Sequence, residues 1–409
     1  MTTKEVVPEV GGATTSYAPS GARLPSLTAL RIVAATLVFI HHSAFQPLFS
    51  DEGVQKVYNK LAYNIGPISI TFFFVLSGFV LTWTAKPLDT AKQFWRRRFV
   101  KIFPSHLVVY AIVLVLMLLA GRAVPWPEAL VSLGLLQAWV PSNDYLLFAI
   151  NPPTWSLSIE LLFYLCFPLL LILVNRIRPS RLWLYAGLAA VAGLLLVPAV
   201  SWLFLPDSPS MSAVSPFSWP QLWFNYFFPV TRMFEFLGGM ILAKILLTGR
   251  WPNVRPLFTV VLLVVTWAAT LPLPLNLFEG GYHALFIMPI ALVITAAAAA
   301  DIAGRRTLFN SRGMVWLGEI SYTFYLVHVA VLFSLQAAFN HQWGVGGMFL
   351  GDFTSRPFGT VAAIAFLVGA YLACVLVGWV VYALVERPAM RRWARPRGAR
   401  PAGTTSAST

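Results

Sequence analysis

The sequence predicts an all-α integral membrane protein, a bundle of about ten transmembrane helices with the N and C termini cytoplasmic. Three observations carry that reading. Of 409 residues, 58% are hydrophobic and only 11% are charged, so a water-soluble fold would expose far too much apolar surface. Apolar runs of roughly 20 residues recur between Leu27 and Val385, each long enough to cross a ~30 Å hydrocarbon core as a helix. Finally, Lys and Arg gather in alternate loops, as topology selection demands.

The apolar runs place helices over 27–47, 64–84, 102–121, 155–175, 182–204, 223–247, 257–275, 282–300, 314–338 and 360–385. The interrupted stretch Glu128 to Val140 is too short to span and reads as re-entrant or interfacial. One set of loops holds Arg23, Lys92 with Arg96, Arg97, Arg98 and Lys101, then Arg176 to Arg181, Lys244 to Arg255, Arg305 to Arg312 and Arg387 to Arg400. The other set holds Asp51, Glu52, Asp144, Asp207, Glu279 and Asp352. A missed or invented span would put this alternation out of phase partway along. The expected organisation is a disordered tail over 1–23, a transmembrane domain over 24–388 and a basic, low-complexity cytoplasmic tail over 389–409. The first apolar run has no A-x-A cleavage site and reads as a retained span.

Composition also excludes some functions. The formal charge of +14, from 29 Lys and Arg against 15 Asp and Glu, is accounted for by the topology loops, and no basic stripe with interleaved aromatics points to nucleic acid. Cys166 and Cys374 both lie in apolar runs without metal-ligand spacing, so no disulfide framework and no metal site are expected.

Ionisable groups inside a membrane span are costly and mark polar cavities or partners. Arg31 and His42 are separated by roughly three helical turns and share one face within ~20°, with His42 ~16 Å deeper, whereas His41 points away. Glu160 lies ~8 Å from the outer end of its helix, the same depth as His42, so the two could meet. A histidine beside a carboxylate is suited to taking a proton from a hydroxyl. Arg232 and Glu235 are one turn apart and able to pair with each other. His328 shares a face with Tyr325 and Ser321 at a depth close to that of His42. Structural readings stand beside the functional ones: His328 as a helix-to-helix hydrogen bond, Arg232 with Glu235 as a buried pair, and the Arg96 to Lys101 cluster as a topology determinant.

At these residues the chain resembles the acyltransferase-3 family, integral membrane proteins that O-acylate sugars, lipopolysaccharide, peptidoglycan or macrolides. The likeness runs from Leu27 to Pro388. It rests on Leu30-Arg31 with His42, Phe72 to Phe79 around Ser77-Gly78, Arg97-Arg98 through Pro104, Pro153 to Glu160 around Trp155, and Phe163-Tyr164. It continues in Arg232 with Phe234 to Phe236, Ile320 to Tyr322, Tyr325 to His328, and Val385-Glu386-Arg387-Pro388.

The resemblance implies an acyl-CoA donor, acetyl-CoA in most members, and a carbohydrate-containing acceptor. It places His42 and Arg31 at the catalytic centre and makes Arg97 with Arg98 the basic cluster before the third helix. The expected mechanism sets Arg31, Arg97, Arg98 and Lys101 on the coenzyme phosphates and Glu160 beside a catalytic His42, with direct transfer and an acyl-enzyme both open. Ser77, Trp155, Tyr164, Arg232, Glu235, Tyr325 and His328 are supporting or substrate-contacting. Lys101 stands where many members carry Arg, which replaces a bidentate fork by a point charge. The esterase-like domain appended to some members is not expected here. The location implied is a bacterial cytoplasmic membrane. The rival from another class is a proton-coupled transporter or flippase of a glycan or lipid-linked substrate.

Overall fold

Prolines, caps and apolar stripes set the helix boundaries seen in the computed structural model, which describes residues 22–86, 89–147, 150–210, 217–252, 254–272, 280–339 and 356–394. The helices are α1 (Pro25–Ser43), α2 (Glu52–Trp83), α3 (Ala91–Leu119), α4 (Trp126–Leu133), α5 (Asn143–Leu147), α6 (Trp155–Arg176), α7 (Leu182–Val191) and α8 (Val197–Phe204). There follow α9 (Trp219–Leu222), α10 (Met233–Leu247), α11 (Pro256–Thr270), α12 (Ile287–Ile302), α13 (Arg312–Glu319), α14 (Ser321–Phe339), α15 (Thr360–Val381) and α16 (Arg387–Trp393). The expected tail over 1–21, the acidic loop residues Glu279 and Asp352, the loop over 340–355 and the tail from 395 lie outside the described residues.

The chain is an all-α membrane protein. Among the described residues, eight helices are long and apolar enough to cross a bilayer: Pro25–Ser43, Glu52–Trp83, Ala91–Leu119, Pro152–Arg176, Pro179–Phe204, Tyr282–Ile302, Ser321–Phe339 and Thr360–Trp393. Their outward stripes are greasy. Along α15, Val361, Ile364, Val368, Leu372 and Leu376 are all exposed at helical spacing, a face that only lipid would cover.

The other two expected spans are shorter. The run 223–247 breaks at Pro229, which has no N–H to donate and forces Phe228 into an extended conformation (φ −67°, ψ 124°). What remains is α10, with 15 residues. The run 257–275 ends as α11, also with 15 residues, because Pro272 and Pro274 follow. Each such helix is ~22 Å long, short of the ~30 Å core. The expected helix 314–338 is jointed at Ile320 into α13 and α14. At the other extreme, α3 starts eleven residues before 102 (102 − 91), because Thr90 and Gln93 form a capping box at its N-terminus. The basic cluster therefore rides on the helix itself.

Glycines let backbones approach where membrane helices lack a hydrophobic drive to associate. A Cβ at Gly78 of α2 would lie 2.0 Å from Phe236 O, and one at Gly239 of α10 would lie 1.9 Å from Val75 O. Gly318 of α13 packs in the same way on Thr28 O of α1, at 2.0 Å. The N-terminus of α1 is held by Asp301 of α12, which accepts from Ser26 N (2.8 Å) and Ser26 Oγ (2.7 Å), an acid placed where the helix dipole favours one.

Two apolar clusters result. Residues of α2, α6, α7, α10 and α12 dominate one, and residues of α3, α14 and α15 the other. Helix α1 serves both, giving Leu27, Leu30, Ala34 and Val38 to the first and Ile32, Ala35 and Phe39 to the second. It forms the seam, and the polar residues of the candidate site lie along it.

Candidate active site

His42 lies in the penultimate position of α1, and its side chain leans back toward the N-terminus of the helix, as Cα–Cβ bonds in helices do. Its Nδ1 is 2.9 Å from Val38 O and 3.2 Å from His328 Nε2 of α14. His328 is completely buried, and its own Nδ1 is 2.6 Å from Tyr325 O. Carbonyl oxygens only accept, so both Nδ1 atoms carry the proton. His328 Nε2 is then an acceptor that shares the His42 Nδ1–H with Val38 O. His42 Nε2 keeps its lone pair and has no protein partner among the described residues.

The wall beside this pair is built by the start of α6. The Tyr325 hydroxyl donates to Pro153 O (2.7 Å) and lies 2.8 Å from Ser156 Oγ, while Asn151 Nδ2 donates to Leu326 O (2.9 Å). Trp155 packs on Tyr226 and Phe227, with ring centroids 5.2 and 4.7 Å apart. These contacts put the first turn of α6 level with Tyr325, only ~6 Å along α14 from its beginning. Helix α6 thus starts inside the protein rather than at the outer surface.

For that reason Glu160 does not share the depth of His42, contrary to the sequence-based expectation. Its carboxylate accepts from Ser77 Oγ (3.0 Å) and the Tyr164 hydroxyl (3.1 Å). Ser77 is ~9 Å from the C-terminal end of α2, and Arg31 is ~9 Å from the N-terminal end of α1, so Glu160 sits at the level of Arg31. A chamber of about 90 Å³ is lined there by Arg31, Ser77, Arg98, Lys101, Glu160 and Tyr164.

Helix geometry divides the basic cluster. Arg98 and Lys101 are three residues apart and share a face, while Arg97 is turned by ~100°. Arg98 enters the chamber, its guanidinium 5.8 Å from the Tyr164 ring and 5.5 Å from Phe94. Its Nε is buried without a hydrogen-bond partner among the described residues. Lys101 pairs with Glu386, the carboxylate before α16, and lies 5.5 Å from the Tyr322 ring. Arg97 instead pairs with Asp89 in the preceding loop, and the hydrogen bonds from its guanidinium hold the Asp89 carboxyl below the usual carboxylate range.

Arg232 and Glu235 do pair, through Nε–Oε2 and Nη2–Oε1 contacts of 2.9 Å each. Thr71 Oγ1 donates to Glu235 Oε1 at 2.8 Å, and His283 Nε2 lies 3.6 Å away. The pair also repairs the break before α10: Arg232 Nη1 donates to Tyr226 O (2.9 Å), and Thr231 Oγ1 donates to Phe224 O and Phe228 O (2.8 Å each). Backbone carbonyls freed at membrane depth need such donors. His41 packs its ring over Gly66, 2.3 Å from the place of a Cβ, with Nδ1 3.3 Å from Ala62 O. Among the described residues no group of three or more His, Cys, Asp or Glu is placed to hold a metal ion.

The sequence offered two residues whose partners it did not disclose. In the sequence, depth alone relates His328 to His42, and a Glu-Arg-Pro motif is the signal at Glu386. Only tertiary packing shows that one holds His42 and the other Lys101.

Fold and site together define a multi-pass membrane protein with a pair of histidines, one of them fully buried, above a basic chamber. The chain belongs to the acyltransferase-3 family, whose acyltransferase domain matches residues 24–400. It is 38% identical over 384 residues to acyltransferase MdmB of Streptomyces mycarofaciens, covering 93% of this chain and 95% of that one. It is 24% identical over 347 residues to peptidoglycan O-acetyltransferase OatA of Listeria monocytogenes, covering 76% of this chain and 49% of that protein, so it spans about half the length of that relative. Nodulation protein 10 of Rhizobium leguminosarum is 25% identical over 354 residues, covering 79% of this chain and 82% of its own. No solved structure matches the chain.

Proposed function

We propose that this protein is a membrane O-acyltransferase that moves an acyl group, acetyl in the first instance, from acyl-CoA to a hydroxyl of a carbohydrate-containing acceptor. The observation that carries the reading is the His42–His328 pair, which fixes one histidine as the Nδ1–H tautomer and leaves its Nε2 lone pair free. Family membership supports acyl transfer, and the name of one relative, peptidoglycan O-acetyltransferase, supports a hydroxyl of a glycan polymer as the acceptor class.

In this mechanism Arg31, Arg98 and Lys101 attract the coenzyme phosphates from the basic end. Glu160, held by Ser77 and Tyr164, balances Arg31 and Arg98, and His328 rather than Glu160 orients His42. Arg97, turned away and neutralised by Asp89, is not needed in this mechanism. The acceptor hydroxyl gives its proton to His42 Nε2 as its oxygen attacks the thioester carbonyl. The tetrahedral intermediate collapses, the C–S bond breaks, and the departing thiolate takes the proton back from His42. The products are an ester and free coenzyme A.

The test is release of coenzyme A from acetyl-CoA by the purified full chain, wild type and His42→Ala, with a panel of sugar, lipid-linked and macrolide acceptors. Acceptor-dependent release that falls about 10²- to 10⁴-fold in the variant is expected. Identical release from both proteins with every acceptor counts against His42 as the base, and the absence of any acyl-CoA consumption favours the transporter reading.

A further inference from the structure

At the basic end of the seam, a cleft of about 390 Å³ lies beside the chamber. Arg31 and Lys101 line both spaces. The outer wall adds Arg387 and Arg391 of α16, together with Glu319, Tyr382 and Glu386.

The helix that carries this wall has a sequence-encoded irregularity. Pro388 lacks an N–H and its ring crowds the carbonyl of Leu384, and the chain responds with a π-helical turn over Tyr382–Glu386. Around that turn Glu386 is buried, at 2% exposure, while Arg387 faces out. Arg387 and Arg391 are four residues apart and share a face. Arg96 Nε of α3 donates to Trp393 O at 2.8 Å, which docks α16 beside the chamber.

The charges do not balance. Glu319 lines the cleft with Tyr382, and Glu386 is engaged by Lys101. Arg31, Arg387 and Arg391 have no ion-pair partner among the described residues. Over cleft and chamber together, the five cations Arg31, Arg98, Lys101, Arg387 and Arg391 face the three carboxylates Glu160, Glu319 and Glu386, an excess that calls for a ligand with several negative charges. The volume lies within the usual range for small-molecule sites.

Resting on the acyl-CoA reading above, we propose that this cleft binds the nucleotide end of the donor, with Arg387 and Arg391 holding its 3′-phosphate and diphosphate. Glu386 is the internal anion that keeps Lys101 paired until a phosphate replaces it. Arg31 lies ~16 Å along α1 from His42, so a nucleotide held in the cleft leaves the long pantetheine arm to bridge to the histidine. The arginines bind the part of the donor that does not react and take no part in the chemistry.

The experiment compares two donors carrying the same thioester, acetyl-CoA and acetyl-pantetheine, which lacks the nucleotide and its phosphates. Wild type and the double variant Arg387→Gln/Arg391→Gln are assayed as full chains in detergent with one acceptor, and retention of radiolabelled coenzyme A is measured directly. Loss of phosphate contacts raises the KM for acetyl-CoA by about tenfold or more and weakens coenzyme A retention in proportion. The acetyl-pantetheine kcat/KM equals that of wild type, which also shows that the variant is folded. An equal fall with both donors, or no change with either, overturns the assignment while leaving acyl transfer standing. A wild type that uses neither donor and retains no coenzyme A removes the acyl-CoA reading, and this inference with it.

Discussion

His41 and His42 are neighbours in sequence whose rings lie 5.2 Å apart but whose hydrogen-bond partners differ. His41 is wedged between α1 and α2 over Gly66, whereas His42 turns to the seam and meets His328. The helical offset from Arg31 picks out His42, and the hydrogen bonds define its tautomer. Because His328 touches His42 and not the reacting atoms, His328→Ala is expected to lower kcat by about 10²-fold through misorientation, with a smaller change in KM for either substrate. A fall as deep as that of His42→Ala would show that His328 itself handles the proton. A second residue-scale expectation concerns Asp89, whose carboxyl is held below its ordinary range by Arg97. A depressed carboxylate stabilises the fold fully above the range in which a free aspartate ionises, ~4, and loses that contribution as pH falls through its own lower value. Asp89→Asn should therefore cost at most ~1 kcal/mol at neutral pH, given its partial exposure. The difference between wild type and variant in thermal unfolding should vanish only in strong acid.

The contact of α2 with α10 depends on two glycines, and adding one methyl at either drives it into backbone. Gly78→Ala or Gly239→Ala would place a Cβ within 2.0 Å of a carbonyl oxygen, where no rotamer can relieve the clash. We expect a loss of about 1–3 kcal/mol or more, read as a lower unfolding midpoint in detergent and a parallel fall in activity. Arg232→Gln is expected to cost more, about 3–5 kcal/mol, since it strands a buried carboxylate and also frees the Tyr226 carbonyl at the break before α10. Reversion of the cost in Arg232→Gln/Glu235→Gln, measured by the same unfolding assay, would identify the charge as its main source. These elements also show what the sequence disclosed. The long helices were legible from hydropathy and loop charge, and the capping box Thr90–Gln93 and the breaks at Pro229 and Pro272 had local signals in view. The depth of α6 did not. It depends on Asn151 reaching Leu326 O and on Tyr325 reaching Pro153 O, contacts between residues about 175 positions apart that no local pattern encodes. A carboxylate inside an apolar run marks Glu160, but the packing gives it Ser77 and Tyr164 as neighbours in place of His42.

On the proposed mechanism, the two halves of the reaction lie at opposite ends of one seam. The cations of the cleft and chamber gather near the start of α1, and His42 lies near its other end, beside Phe45, which is 45% exposed with its ring 5.3 Å from that of His42. If the donor enters from the basic end and the acceptor reaches His42 from the other, the two ends must face different compartments. Single cysteines make that measurable once Cys166 and Cys374 are replaced by alanine. In sealed vesicles with uniformly oriented protein, an impermeant thiol reagent should reach Arg391→Cys from one side only and Phe45→Cys from the other side only. Coenzyme A added on the first side should slow labelling of Arg391→Cys and leave labelling of Phe45→Cys unchanged, because the pantetheine arm, not the nucleotide, approaches the histidine. Labelling of both positions from one side would mean that donor and acceptor share an approach, and the enzyme would then serve an acceptor in the same compartment as its coenzyme. Labelling from opposite sides would make the seam a route for moving an acyl group through the membrane without moving the coenzyme, which gives a physical reason for building a transferase from membrane helices.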